Sequence, residues 1–163
     1  MLAGNKPRLR VGFFSFTCDE GCMITFLEVL NTKLFDWKDK IDMVYCRQLQ
    51  KKGEIRKLDV AFVEGAISSI KDRKRLVEVR ANTDVLVAMG SCAISGAPSN
   101  QRNFFDDAKK EEIGFLLHKF QQLPKVLSVK DVVTAEYVVP GCPMDETKFI
   151  AVMEEILKGG KHA

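Results

Sequence analysis

The sequence predicts an α/β protein, a parallel sheet covered by helices on both faces, in a single domain over residues 1–163. Three observations carry this. Short apolar runs alternate along the chain with segments of helical period. The runs are nearly continuous, which suits strands buried on both faces and not the in-and-out alternation of a half-wet sheet. With 163 residues the chain is long enough for one sizeable core, and it shows no internal repeat, low-complexity tract or linker.

The first run, RLRVGFFSF (8–16), reads as a buried strand, and CMITFLEVLNTKLF (22–35) follows it with helical spacing. IDMVYC (41–46) and LDVAFVEGAI (58–67) read as the second and third strands, and SIKDRKRLVEVRAN (69–82) as the next helix. DVLVAMGSCA (84–93) is the fourth strand, followed by a helix over roughly AKKEEIGFLLHKFQQL (108–123). YVVPGC (137–142) is a short extended segment before the last helix, ETKFIAVMEEILKG (146–159). There Phe149, Met153 and Ile156 recur near one helical turn and should face the core. Strand and helix alternating in this way predict a doubly wound, flavodoxin-like sheet.

Hydrophobic residues make up 46% and charged residues 29%, ordinary for a globular domain. The net charge is only +3, and its densest basic clusters, KGEIRK (52–57) and KDRKR (71–75), read as solvated faces. A nucleic-acid footprint would gather more charge on one face, with aromatics among it. No stretch approaches the ~18 uncharged apolar residues of a membrane span. The N-terminus, MLAGNKPRLRVG, lacks the apolar run of a secretory signal. A cytoplasmic, reducing location is the expectation. There an odd set of five cysteines (Cys18, Cys22, Cys46, Cys92 and Cys142) points to metal or redox chemistry, not to a disulfide framework.

FTCDEGC (16–22) lies where the first strand gives way to a helix. Cys22, Cys92 and Cys142 all fall at expected carboxyl ends of strands, the edge at which open α/β sheets bind ligands. Each has small or turn-forming neighbours: Gly21; Gly90 and Ser91; Gly141 and Pro143. Glycine lets the backbone approach a bulky group, and its amide can donate to a sulfide. One ligand more from the 18–22 pair makes four, the number an iron–sulfur cluster or a structural zinc requires. Structural zinc more often draws on two close pairs, and here there is one, which favours iron–sulfur. Cys46, inside IDMVYC, reads as a core cysteine.

The cysteine turn, DVAFVEGAI (59–67), MGSCAISGAPSN (89–100) and VVPGCPMD ending at Asp145 together resemble the small subunit of nickel–iron hydrogenases. The related 20-kDa subunit of NADH:quinone oxidoreductases shares the outline. The likeness runs from about residue 8 to residue 157, in the family's order. It implies a flavodoxin-like domain holding one proximal 4Fe–4S cluster, beside a large subunit that carries the nickel–iron centre. The chain would transfer electrons between that subunit and further iron–sulfur or flavin subunits, and would be inactive alone. Larger members add a C-terminal extension with ligands for two more clusters. Here one helix and a polar tail follow Cys142, and His118 and His162 are too isolated to build another site. The alternative is the iron–sulfur subunit of a quinone reductase or a membrane-bound hydrogenase-like complex. Quinone-reductase relatives use adjacent cysteines in the first turn, which this chain lacks.

The hydrogenase pattern in that turn is Cys-x-x-Cys with a glycine before the second cysteine. Aligning Gly21 and Cys22 with it places Asp19 at the first ligand position, whereas Cys18 would ligate through a longer turn. A thiolate is the softer ligand and suits iron better, so chemistry favours Cys18 and register favours Asp19. Glu64 follows the third strand near the cluster; it either orients the turn and moves protons or is held by backbone amides. Ser91 either donates to the cluster or closes its own turn, and Glu20 is solvated until a partner covers it. Phe13, Phe14 and Phe16 fill core and interface, and SGAPSNQRNFF (95–105) is a candidate partner contact. A free flavodoxin-like FMN protein would want a phosphate loop rich in Ser, Thr and Gly, and TCDEGC offers only Thr17 and Gly21.

Overall fold

Successive side chains of a strand point to opposite faces. In β1 (Leu9–Ser15), Phe13 enters one core layer and Phe14 the other, and both are buried. The same holds for Phe62 and Val63 in β3 (Leu58–Glu64). A computed structural model describes residues 8–49 and 55–159, so part of KGEIRK and all of His162 lie outside the described residues. β1 pairs in parallel with β2 (Ile41–Cys46) on one side and β3 on the other. β3 continues to β5 (Thr83–Met89), and β5 to β7 (Tyr137–Val139), all parallel. Counting only these five strands in chain order, the sheet runs 2-1-3-4-5, the flavodoxin-like arrangement.

One face is covered by α1 (Gly21–Trp37) and α5 (Glu146–Leu157). Phe13 stacks there on Phe26 and Phe62, while Phe149 is edge-on to Phe26 and Trp37 and tilted against Phe62. Phe149, Met153 and Ile156 are buried, as the helical spacing predicts. The other face is covered by α2 (Ile70–Ala81) through Leu76 and Val79. Ser69 and Asp72 form a reciprocal capping box that starts α2.

Three boundaries differ from the expectation. The third apolar run breaks at Gly65, whose φ is +91°; after it β4 (Ile67–Ser69) leaves the main sheet. The fourth ends at Met89 because Gly90, at φ +78°, turns the chain into the short helix α3 (Gly90–Ser95). The helix expected over 108–123 is α4 (Asp107–Lys119), which stops before Gln121 at φ +50°. Gln122–Leu127 is then β6, antiparallel to β4 in a separate two-stranded sheet. Arg102 binds this unit to the preceding 3-10 turn (Gln101–Phe104), its Nη2 donating to Ser68 O at 2.9 Å and to Leu123 O at 3.0 Å. Leu123, Leu127 and Val126 are partly or fully buried here, so the last two residues of the expected helix, Gln122 and Leu123, are satisfied in a strand.

Candidate metal centre at the carboxyl edge of the sheet

The chain leaves β1 in a turn pinned to the segment after β3. Thr17 N donates to Ala66 O at 3.0 Å, and Ala66 N returns to Thr17 O at 2.9 Å. A Cβ on Gly65 would stand 2.9 Å from the Phe16 and Thr17 backbone, so only glycine permits this approach. Glu20 takes a left-handed conformation at φ 62°, and α1 then begins, with Cys22 in its first turn. Asp19 Oδ1 accepts from Gly21 N at 3.0 Å and satisfies an amide at the start of the helix.

The turn after β5 faces this one. Gly90 lies so close to Cys22 that a Cβ there would meet its Sγ at 2.5 Å. One turn of α3 carries Cys92. Ser91 donates to Gly141 O from both its amide, at 2.8 Å, and its hydroxyl, at 3.1 Å. The hydroxyl therefore links the Cys92 turn to the one that bears Cys142, and does not close its own turn. Asp145 N donates to Pro140 O at 2.7 Å, and Asp145 Oδ1 accepts from Lys148 N to cap α5.

These turns bring Cys18, Cys22, Cys92 and Cys142 to the wall of one cleft, with Asp19, Glu64 and Ser91 among its other lining residues. The cleft is partly open to solvent. It lies at the carboxyl ends of β1 and β3, where the strand order reverses, the usual ligand crevice of such sheets. Cys22 is buried, Cys18 and Cys92 are half-buried, and Cys142 is exposed. Cys46 is fully buried, is no part of this lining, and donates to Gln48 Oε1 at 3.7 Å. His118 is exposed on α4, and Glu20 is exposed outside the lining.

Residues 18–156 match the family described as NADH ubiquinone oxidoreductase, 20 Kd subunit. The chain belongs to that family. Relatives of this oxidoreductase-family chain include the delta subunit of sulfhydrogenase 2 from Pyrococcus furiosus, 29% identical over 93% of this chain and 63% of the relative. The delta subunit of the NAD-reducing hydrogenase HoxS from Cupriavidus necator is 23% identical, covering 98% and 83%. The gamma subunit of coenzyme F420 hydrogenase from Methanosarcina barkeri is 28% identical, covering 94% and 56%. The chain thus spans between just over half and five-sixths of the length of these relatives. In fold it is similar to a chain of an NAD+-reducing [NiFe]-hydrogenase, with a TM-score of 0.81 and 21% identity over 96% of both chains. A Ni-Fe-Se hydrogenase chain from Desulfomicrobium baculatum gives 0.65 and 15%, covering 96% of this chain and 66% of that one.

In this oxidoreductase-family chain the cleft's own surroundings hold two of its thiols, Cys18 and Cys22, protonated. Burial, reinforced by the nearby Glu64 carboxylate and Cys92, pushes the Cys18 thiol up to about 12 against a donated Glu20 amide. Burial likewise pushes Cys22 to about 11, opposed by the Met144 amide. A bound cation reverses this balance, since it stabilises thiolates and displaces their protons. Among the described residues no three His, Cys, Asp or Glu side chains converge as ligands for one metal ion. Soft sulfurs set around a cleft, amides aimed at two of them, and Gly90 cleared of a side chain fit a polynuclear sulfur-ligated cluster.

Glu64 is 1% exposed, with Oε1 accepting from Ser15 Oγ at 2.7 Å and Oε2 without a hydrogen-bond partner among the described residues. Burial raises its pKa, while Ser15 and the Met23 amide oppose the rise. Gln48 Nε2 in turn donates to Ser15 Oγ at 3.3 Å. Sequence reasoning missed Ser99. Its Oγ lies 3.6 Å from Cys92 Sγ and 3.3 Å from Thr17 O. The available signal was its place in a Gly-, Pro- and Ser-bearing loop just after Cys92.

Proposed function

We propose that the chain is the electron-transfer small subunit of a cytoplasmic, multi-subunit nickel–iron hydrogenase and holds one 4Fe–4S cluster in this cleft. The observation that carries the reading is the meeting of four cysteines, from three separate turns, at the switch point of the sheet. Several relatives named as hydrogenase subunits support it. The partners would be a large subunit carrying the nickel–iron centre and further iron–sulfur or flavin subunits. No helix among the described residues is long and apolar enough to cross a membrane. The family description itself supports the second reading, a quinone-reductase iron–sulfur subunit.

Cys22, Cys92 and Cys142 supply three ligands, and Cys18 the fourth. Asp19 is exposed and already engages the Gly21 amide, whereas the Cys18 sulfur is half-buried and close enough to Cys92 to feel its charge. When bound, the cluster would supply one-electron storage and transfer at this edge. The chain's part is to position it. The Glu20 and Met144 amides stabilise the Cys18 and Cys22 thiolates, Ser91 locks the Cys92 and Cys142 turns together, and the apolar layers limit water.

Iron and acid-labile sulfide analysis of the anaerobically purified native complex, with EPR of its reduced state, tests this. Cys142→Ala should remove one EPR signal and so assign it to this chain. Cys18→Ala is expected to abolish or alter that signal while Asp19→Ala keeps it. The opposite result makes the carboxylate a ligand. Absence of iron from this chain overturns the reading, and zinc is then measured.

A further inference from the structure

The hydroxyl of Ser99 has one hydrogen and two acceptors within reach. Cys92 Sγ stands at 3.6 Å, and at 3.3 Å is Thr17 O, the carbonyl just ahead of Cys18. The backbone that carries it is firmly held. Gly96, at φ +81°, closes α3 by donating to Cys92 O at 2.9 Å. Asn100 Nδ2 donates to Ser95 O, and the Asn103 side chain pairs with both backbone groups of Val126 at 2.8 Å. What remains free is the torsion of the hydroxyl itself, which chooses between its acceptors.

That choice depends on the state of the sulfur. A neutral thiol is a weak acceptor, so the carbonyl takes the hydrogen. A metal-bound thiolate carries negative charge, and a donor to it makes a charge-assisted bond, shorter and about twice as strong as a neutral one. We propose that Ser99 is a positioning residue that raises the reduction potential of the cluster by donating its hydroxyl hydrogen to the Cys92 sulfur. This rests on Cys92 being a cluster ligand, as proposed above. One electron entering the cluster increases the negative charge on its sulfurs, so the bond strengthens on reduction and favours the reduced state. No proton is transferred; the hydrogen stays on Oγ. With the hydrogen on the sulfur, Thr17 O, the alternative acceptor, is released.

The test is an EPR-monitored redox titration of the native complex, with dithionite as reductant, carried out on wild type, Ser99→Ala and Ser99→Thr. The signal followed is the one that Cys142→Ala removes. Iron and sulfide content is measured alongside. Ser99→Ala is expected to keep its iron, and its reduced-to-oxidised ratio at the wild-type midpoint to fall about tenfold, equivalent to about 59 mV for one electron. Ser99→Thr, which keeps the donor, is expected to recover most of the shift. An unchanged midpoint in iron-replete Ser99→Ala overturns the proposal. Loss of iron from Ser99→Ala also overturns it, since the hydroxyl would then hold the turn instead of tuning the cluster. A wild-type chain without iron is a different outcome and removes the cluster assignment itself.

Discussion

Gly90 combines two demands that only glycine meets. Its φ is +78°, and a Cβ would sit 2.5 Å from the Cys22 sulfur. Gly90→Ala therefore incurs about 1–2 kcal/mol of left-handed strain and also displaces a thiol. The expected result is a chain that binds less iron than wild type while keeping its far-UV circular dichroism. Full iron content in this variant would show that the cleft relaxes more than its geometry implies. The gathering of four cysteines was legible in the sequence. Each lies by a turn glycine or at the end of an apolar run, and such ends share the carboxyl edge of a parallel sheet. How Cys18 and Asp19 are placed was not legible. Asp19 turns back onto the Gly21 amide while Cys18 lines the cleft half-buried, and spacing does not encode that. Ser99 was hidden for a related reason: a hydroxyl in a polar loop carries no periodic signal, and its role appears only when the fold brings Cys92 beside it.

Among the elements, the five parallel strands and the helices α1, α2 and α5 could be read from their apolar runs and their period. The β4–β6 pair could not. The helix expected over 108–123 overlaps β6 by Gln122 and Leu123, and the strand is held by a distant partner, Ile67–Ser69, and by the Arg102 cross-links. After β6 the chain enters a second 3-10 turn (Val129–Asp131), which packs Val129 into the layer that also holds Ala93 of α3. The side chain of Asp131 accepts from Ser128 Oγ at 2.7 Å and from Ser128 N at 2.8 Å. These two bonds hold the carboxyl below the usual aspartate range. A depressed carboxylate contributes stability that is complete above its unfolded pKa, about 3.9, and is lost as pH falls through the folded value. Asp131→Ala should therefore cost about 0.5–2 kcal/mol in denaturant unfolding of the full chain at pH 7, by loss of the cap. The gap from wild type should narrow as pH drops below about 4. A gap independent of pH would mean that the carboxylate is not the stabilising group.

For the molecule as a whole, the strand order brings three turns distant in sequence together around one cleft. Each parallel crossover returns the chain to the same edge of the sheet, so turns far apart in sequence become neighbours. The core is unevenly shared. The strands β1, β3 and β5 are buried on both faces, whereas α4 has no buried residue and leaves Phe115 and Leu116 exposed. A helix without an anchored face has little tertiary reason to stay wound. Its amide hydrogens should therefore exchange with deuterium through local opening, orders of magnitude faster than those of β3, which must await global unfolding. Mass-spectrometric exchange would show α4 as a separate cooperative unit, able to melt and rewind while the sheet and its cysteine turns stay closed. Exchange of α4 in step with β3 would instead tie that helix to the single folding event of the sheet.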